Sequence, residues 1–148
     1  MNEPAVIQKN KKTHIALLAD RSGSMQTIRE DAEGGIAAFL AEQAAQPGEC
    51  TVTLFQFDHA YETVFGPVDV KAAPRYRLVP RGSTALLDAM GRAIGDTETT
   101  VTDEIVVFAV VTDGRENASR EWTRDTLRAR VEEKTKAGWH FVFLSADL

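Results

Sequence analysis

Oxygen-bearing side chains capable of holding a cation stand at three separated places in the chain: Asp20, Ser22 and Ser24, then Thr84, then Asp113. In Asp20-Arg21-Ser22-Gly23-Ser24 the alternate spacing lets three side chains converge in an extended turn, while Arg21 points outward and Gly23 allows the bend. None of the five is a soft ligand. Zinc, copper and iron–sulfur chemistry are disfavoured, and a hard divalent cation suits the set: Mg2+, with Mn2+ or Ca2+ as alternatives. The same turn opens a helix, whose free N–H groups add positive potential nearby.

The three segments meet only if the elements before them end at one edge. His14 to Ala19 is a dense apolar run that stops at Asp20, which reads as a buried strand entering a turn. Ile28, Ala32, Gly35, Ile36, Phe39 and Leu40 mark one face of a helix that Pro47-Gly48 ends. Thr51–Phe57 and Tyr61–Phe65 are rich in β-branched and aromatic residues and predict an antiparallel hairpin, closed at Gly66-Pro67. Val68–Pro80, interrupted by prolines, reads as a loop packed over the surface, and Leu86, Leu87, Met90, Ala93 and Ile94 mark a second helix. Ile105–Val111 has no alternation, as expected of a central parallel strand covered on both faces. A last helix with Thr123 as N-cap and Gly138 just past its end leads to a strand over Trp139–Ser145.

This alternation predicts an α/β fold: a doubly wound, mostly parallel sheet of about five strands with helices on both faces. The expected order is 3-2-1-4-5, with one antiparallel edge strand. Chain connections leave the strands ending at Asp20 and Asp113 in opposite directions, and ligands of open α/β sheets sit in such a crevice.

Asp20-Arg21-Ser22-Gly23-Ser24-Met25, Gly82-Ser83-Thr84-Ala85-Leu86 and Thr112-Asp113-Gly114 together resemble the metal-ion-dependent adhesion site of the von Willebrand factor type A domain family. The first turn alone is unspecific, since Asp/Ser/Gly turns often do no more than cap helices. The joint pattern is specific, and the element order matches from Thr13 to Ser145. The resemblance implies that Ser22, Ser24 and Thr84 ligate the metal, with Asp20 and Asp113 acting directly or through water. It further implies a protein partner that presents an Asp or Glu to complete the shell. Arg21, Met25, Arg81, Arg115, Glu116 and Asn117 are the candidate rim. The family usually has a further helix and a sixth strand. On this reading residues 13–148 form a domain short of both, behind a flexible basic tail over 1–12, and the fifth strand is an edge able to pair with another chain.

A structural domain whose metal only stabilises its loops is the alternative within the same fold. A Mg2+-dependent phosphoryl transferase using Asp20 as nucleophile is the enzymatic one. The haloacid-dehalogenase pattern wants a second carboxylate where Ser22 stands, and receiver domains want an adjacent acidic pair and a late lysine, neither of which is present. A Gly-x-Ser-x-Gly elbow and the phosphate-loop glycine spacings are also missing. The expectation is a binding module, not an enzyme. His14, His59 and His140 read as structural or solvated, Asp58 as serving the hairpin turn, and Asp88 as supporting its helix terminus or the Thr84 loop. Trp122 and Trp139 read as packing residues, and Arg128–Lys136 as a solvated helix face.

A length of 148 residues, 43% hydrophobic and 26% charged, fits about one globular domain. A formal charge of −5 argues against holding nucleic acid or an anionic membrane by bulk attraction. The longest apolar run, Ile105–Val111, is far short of the roughly 20 residues of a membrane span. With a single cysteine, Cys50, and no secretory h-region near the start, the expected location is the cytoplasm.

Overall fold

Strand β1 (Thr13–Asp20) is buried along nearly its whole length, because apolar side chains leave it on both sides. Such a strand is stable only with neighbours on both edges and cover on both faces. In the computed structural model, which describes residues 12–144, β1 pairs in parallel with β2 (Cys50–Phe57) and with β4 (Ile105–Val111). β3 (Tyr61–Asp69) runs antiparallel to β2, and β5 (His140–Leu144) runs parallel to β4. The order is β3-β2-β1-β4-β5, as the sequence predicts.

Helix α1 (Arg29–Ala44) covers one face, where Ala32, Ile36 and Leu40 pack with Ile15, Leu17 and Ala19 of β1. Helices α2 (Leu86–Thr100) and α3 (Arg124–Lys136) cover the other. There Ala89, Met90, Ala93, Ile94 and Leu127 meet Ala16 and Leu18. Burial of each large aliphatic side chain contributes roughly 1.5–3 kcal/mol. Trp122 and Trp139 pack as expected: Trp139 is buried against Phe108, and Trp122 lies over Gly91 of α2. A Cβ at Gly91 would stand 2.1 Å from the Trp122 ring, so the missing side chain makes room for the indole.

Local signals hold at α3. Thr123 Oγ1 accepts the Thr126 N–H at 3.1 Å, and Gly138, with φ +104°, follows the helix end. Two spans differ from expectation. β3 does not stop at Phe65 but continues through Gly66-Pro67 to Asp69. A register irregularity opposite Val52 and Leu54 absorbs the proline, and an edge strand has a side on which no ladder N–H is needed. Gly66 fits there at φ +107°, where a Cβ would lie 2.5 Å from the Val52 carbonyl oxygen. The presumed loop after it begins with a 3-10 turn, Val70–Ala72.

β5 forms an edge among the described residues, with Phe143 62% exposed. The expected tail over 1–12, apart from Lys12, and the end of the expected last strand at Ser145 lie outside the described residues. No described helix is long and apolar enough to cross a membrane.

Candidate metal centre

The parallel register of β1 and β4 pairs Ala19 with Val111, so the next residues of each strand, Asp20 and Thr112, emerge side by side. Asp20 is fully buried. Its Oδ1 accepts the Ser22 N–H at 2.8 Å and its Oδ2 accepts the Thr112 hydroxyl at 2.8 Å. Burial pushes the Asp20 carboxyl above its usual range, against the pull of these hydrogen bonds. The negative charge of Asp113 pushes in the same direction as burial.

Beyond Asp20 the backbone is extended at Ser22 (ψ 163°) before a 3-10 helix, Gly23–Ile28, begins. Alternate side chains therefore share one side. Ser22 Oγ lies 3.3 Å from Ser24 Oγ, and Ser24 Oγ donates to Asp113 Oδ2 at 2.5 Å. Gly114, at φ +83°, turns the chain after β4, and the Arg115 N–H donates to Asp113 Oδ1 at 3.1 Å. Four of the five predicted residues thus form one connected group across the crevice between β1 and β4.

Thr84 reaches the same edge by another route. Arg81 N–H donates to the Arg21 carbonyl at 2.7 Å and Gly23 N–H to the Gly82 carbonyl at 3.0 Å, so the 81–84 loop lies along the first turn. Asn117 clamps Thr84: its Oδ1 accepts the Thr84 N–H at 2.9 Å, and its own N–H donates to the Thr84 carbonyl at 2.8 Å. Thr84 is buried, and among the described residues its hydroxyl makes no hydrogen bond to the other four.

The donor set fits a hard cation. Neighbouring ligands of an octahedral ion with bonds of about 2.1 Å stand about 3 Å apart. The Ser22–Ser24 and Ser24–Asp113 oxygen separations of 3.3 and 2.5 Å bracket that value. Among the described residues no group of three or more His, Cys, Asp or Glu side chains could hold a metal by itself. A cation at this edge would therefore depend on hydroxyl oxygens.

Of the candidate rim, Arg115 is exposed beside Asp113, with Nε 3.7 Å from Oδ2, and Arg81 is half exposed. Three assignments are corrected. Met25 is completely buried, because the 3-10 helix turns it into the core under α1. Arg21 is drawn the other way, its side chain 11% exposed, with Nε 3.2 Å from Asp58 Oδ2 and Nη2 2.9 Å from Glu62 Oε1. Glu116 folds inward, accepting the Leu87, Ala118 and Ser119 N–H groups and the Ser119 hydroxyl. Asn117 is exposed at the rim, but its amide oxygen is committed to Thr84.

Two acids do more than their local patterns imply. Asp88 stands in the first turn of α2, where an acid favours the helix N-terminus, and its carboxylate also accepts the N–H groups of Arg120, Glu121 and Trp122 and so fixes the loop leading to α3. Asp58 serves the hairpin turn through the Ala60 N–H at 2.6 Å, and it also gathers Arg81 and Arg21. Although burial raises its pKa, the Ala60 N–H and the two guanidiniums outweigh that and hold the Asp58 carboxyl below its ordinary range. Sequence spacing gave no sign of this cluster, because it joins positions 21, 58 and 81. Thr112 was visible only as part of a Thr-Asp-Gly turn.

No family model matches the chain, and no curated protein matches it. Solved structures do. A von Willebrand factor type A protein from Catenulispora acidiphila is 16% identical, with a TM-score of 0.65 over 90% of this chain and 33% of that one. The ArnB paralog VWA2 from Sulfolobus acidocaldarius is 17% identical, with a TM-score of 0.52 over 90% of this chain and 34% of that one. The pilus adhesin SpaC from Lactobacillus rhamnosus GG is 20% identical, with a TM-score of 0.57 over 72% of this chain and 16% of that one. The chain spans about a third or less of the length of these proteins. At such identities the likeness bears on architecture alone, and together with the strand order it establishes the fold as von Willebrand factor type A-like.

Proposed function

We propose that this chain is a divalent-cation-dependent protein-binding module, with Asp20, Ser22, Ser24, Thr84 and Asp113 as the metal-binding set and Mg2+ as the first choice of ion. The supporting observation is the connected group Asp20–Ser22–Ser24–Asp113 at the crevice between β1 and β4. When bound, a hard cation held largely by neutral hydroxyls and water keeps enough charge to attract a carboxylate oxygen from outside. The chain's own residues prepare that position. Thr112 and the Ser22 N–H hold Asp20 in one orientation, Asn117 holds Thr84, and the exposed Arg115 adds a donor for an acidic partner. The likeness in fold to a pilus adhesin supports an interaction role.

The alternative keeps the metal but gives it only a stabilising role; the contacts that already close Ser24 onto Asp113 favour it. Affinity capture with and without chelator, using wild type and Ser24→Ala, separates the two. The proposal expects a set of partners that disappears with chelator and with the variant. A partner set indifferent to both would overturn it.

A further inference from the structure

Between the 3-10 turn at Val70–Ala72 and Thr84 the chain has no regular secondary structure, yet from Arg75 to Arg81 its side chains alternate between outside and inside. Tyr76 and Leu78 are buried in the α1-side core, while Arg75, Arg77 and Val79 face outward. Three fixings hold the segment in place. Tyr76 Oη donates to Gln56 Oε1 at 2.9 Å, Leu78 N–H donates to Glu33 Oε2 at 2.6 Å, and Arg81 N–H donates to the Arg21 carbonyl at 2.7 Å. The last contact joins the segment to the turn that carries Ser22 and Ser24.

The outward face is unusual for this chain. The protein carries a net charge of −5, yet Arg75 and Arg77 stand exposed and make no ion pair or hydrogen bond with any described residue. Glu33 of α1, which reaches this segment, accepts the Leu78 N–H through one of its carboxylate oxygens. Arg81 at the site end is paired with Asp58 but remains 55% exposed. Val79, between Arg77 and Arg81, is 64% exposed. Alternate residues of an extended segment repeat at roughly 6.5 Å, the same repeat as alternate residues of an extended partner.

We infer that the segment Arg75–Arg81 is a docking strip for an extended acidic peptide, which places one carboxylate at the candidate metal centre, an apolar side chain against Val79, and further carboxylates opposite Arg77 and Arg75. The inference rests on the proposed function for its anchor and adds the class of partner. Charge complementarity selects an acidic peptide over nucleic acid, since the remainder of this acidic chain repels a phosphate polymer while the strip alone attracts a short stretch. Because the strip is held by buried Tyr76 and Leu78, a partner pays little ordering cost on the protein's side.

The test uses two fluorescein-labelled peptides in Mg2+ buffer, Glu-Ala-Leu-Ala-Glu-Ala-Glu and the same peptide with Gln at the last two acidic positions, read by fluorescence anisotropy against the full chain. The all-acidic peptide is expected to bind about five- to tenfold tighter, from two additional exposed ion pairs. The double variant Arg75→Gln/Arg77→Gln is expected to remove that advantage while leaving the weaker peptide unchanged. Equal binding of both peptides, equal loss of both in the double variant, or no binding of either would overturn the strip. Displacement of the acidic peptide by a lower concentration of single-stranded oligonucleotide than of unlabelled peptide would also overturn it. Chelator isolates the anchor: loss of both peptides supports strip and metal together. A charge-dependent difference that survives chelation supports the strip and overturns the metal reading.

Discussion

Arg81 Nε donates to Asp58 Oδ2 at 2.6 Å, and this contact ties the end of β2 to the loop that carries Thr84. The same carboxylate faces Arg21, next in sequence to Asp20, so one buried acid holds both loops that flank the crevice. Asp58→Asn keeps the acceptor for the Ala60 N–H but removes the charge that gathers the arginines. A loss of about 2–3 kcal/mol in urea unfolding is expected, the scale of a hydrogen bond to a charged group. Mg2+ affinity in the same variant should fall several-fold. Unchanged affinity would show that the cluster does not position the site.

Divalent cation should raise the melting temperature. Ion at a hundredfold excess over its dissociation constant adds about 2.7 kcal/mol, or roughly 5–10 °C for a domain of this size. A scan with Mg2+, Mn2+ and Ca2+ checks it. Ser24→Ala, which removes the hydroxyl between Ser22 and Asp113, should shrink the shift to near zero with little change in the metal-free midpoint.

His14 makes stability depend on pH. It is buried, with Nδ1 2.7 Å from Thr51 Oγ1 and Nε2 3.4 Å from Thr53 Oγ1. Burial pushes its pKa below the ordinary 6.5, against the opposing pull of Glu104. The unfolded chain therefore takes up this proton at a higher pH than the folded one. The stability contributed by the neutral ring is whole above about pH 6.5 and declines as pH falls from there toward the lowered folded value. His14→Gln should flatten the slope between pH 6.5 and 5; an identical slope in urea melts would place the proton uptake elsewhere.

Gly91→Ala drives a methyl into the Trp122 ring. Either the indole or α2 must shift, at about 1–3 kcal/mol. Trp122 directly follows the loop that holds Asn117, so Trp emission should move to the red and Mg2+ affinity should drop together. A loss of stability with both signals unchanged would mean that α2 absorbs the methyl.

The sheet order was legible because Ile105–Val111 and His14–Ala19 lack alternation and so demand burial on both sides. The meeting of Asp20, Ser22, Ser24 and Asp113 was legible in the alternate spacing after β1 and in the neighbouring strand that ends just before Asp113. What stayed hidden is long-range and side-chain specific. Met25 sits in a motif that suggests surface exposure, but the 3-10 helix rotates it into the core. Glu116 reads as a surface acid, yet three N–H groups turn it inward. Arg21 is captured by Asp58 of the hairpin turn and Glu62 of β3, which no local spacing announces. β3 continues past a Gly-Pro pair because the irregularity facing it lies in the pairing with β2.

A strand apolar on both sides, such as β1, carries no alternating pattern to tell it from a copy slipped by one residue. Polar contacts at its two ends supply that information. His14 finds the hydroxyls of Thr51 and Thr53 only at the observed alignment with β2, and Asp20 finds Thr112 only at the observed alignment with β4. A slip by one residue would strand a buried imidazole and a buried carboxylate without partners. Asp20 thus pins the central strand in register, and replacing it with an apolar residue would cost alignment of the sheet as well as one member of the proposed metal set.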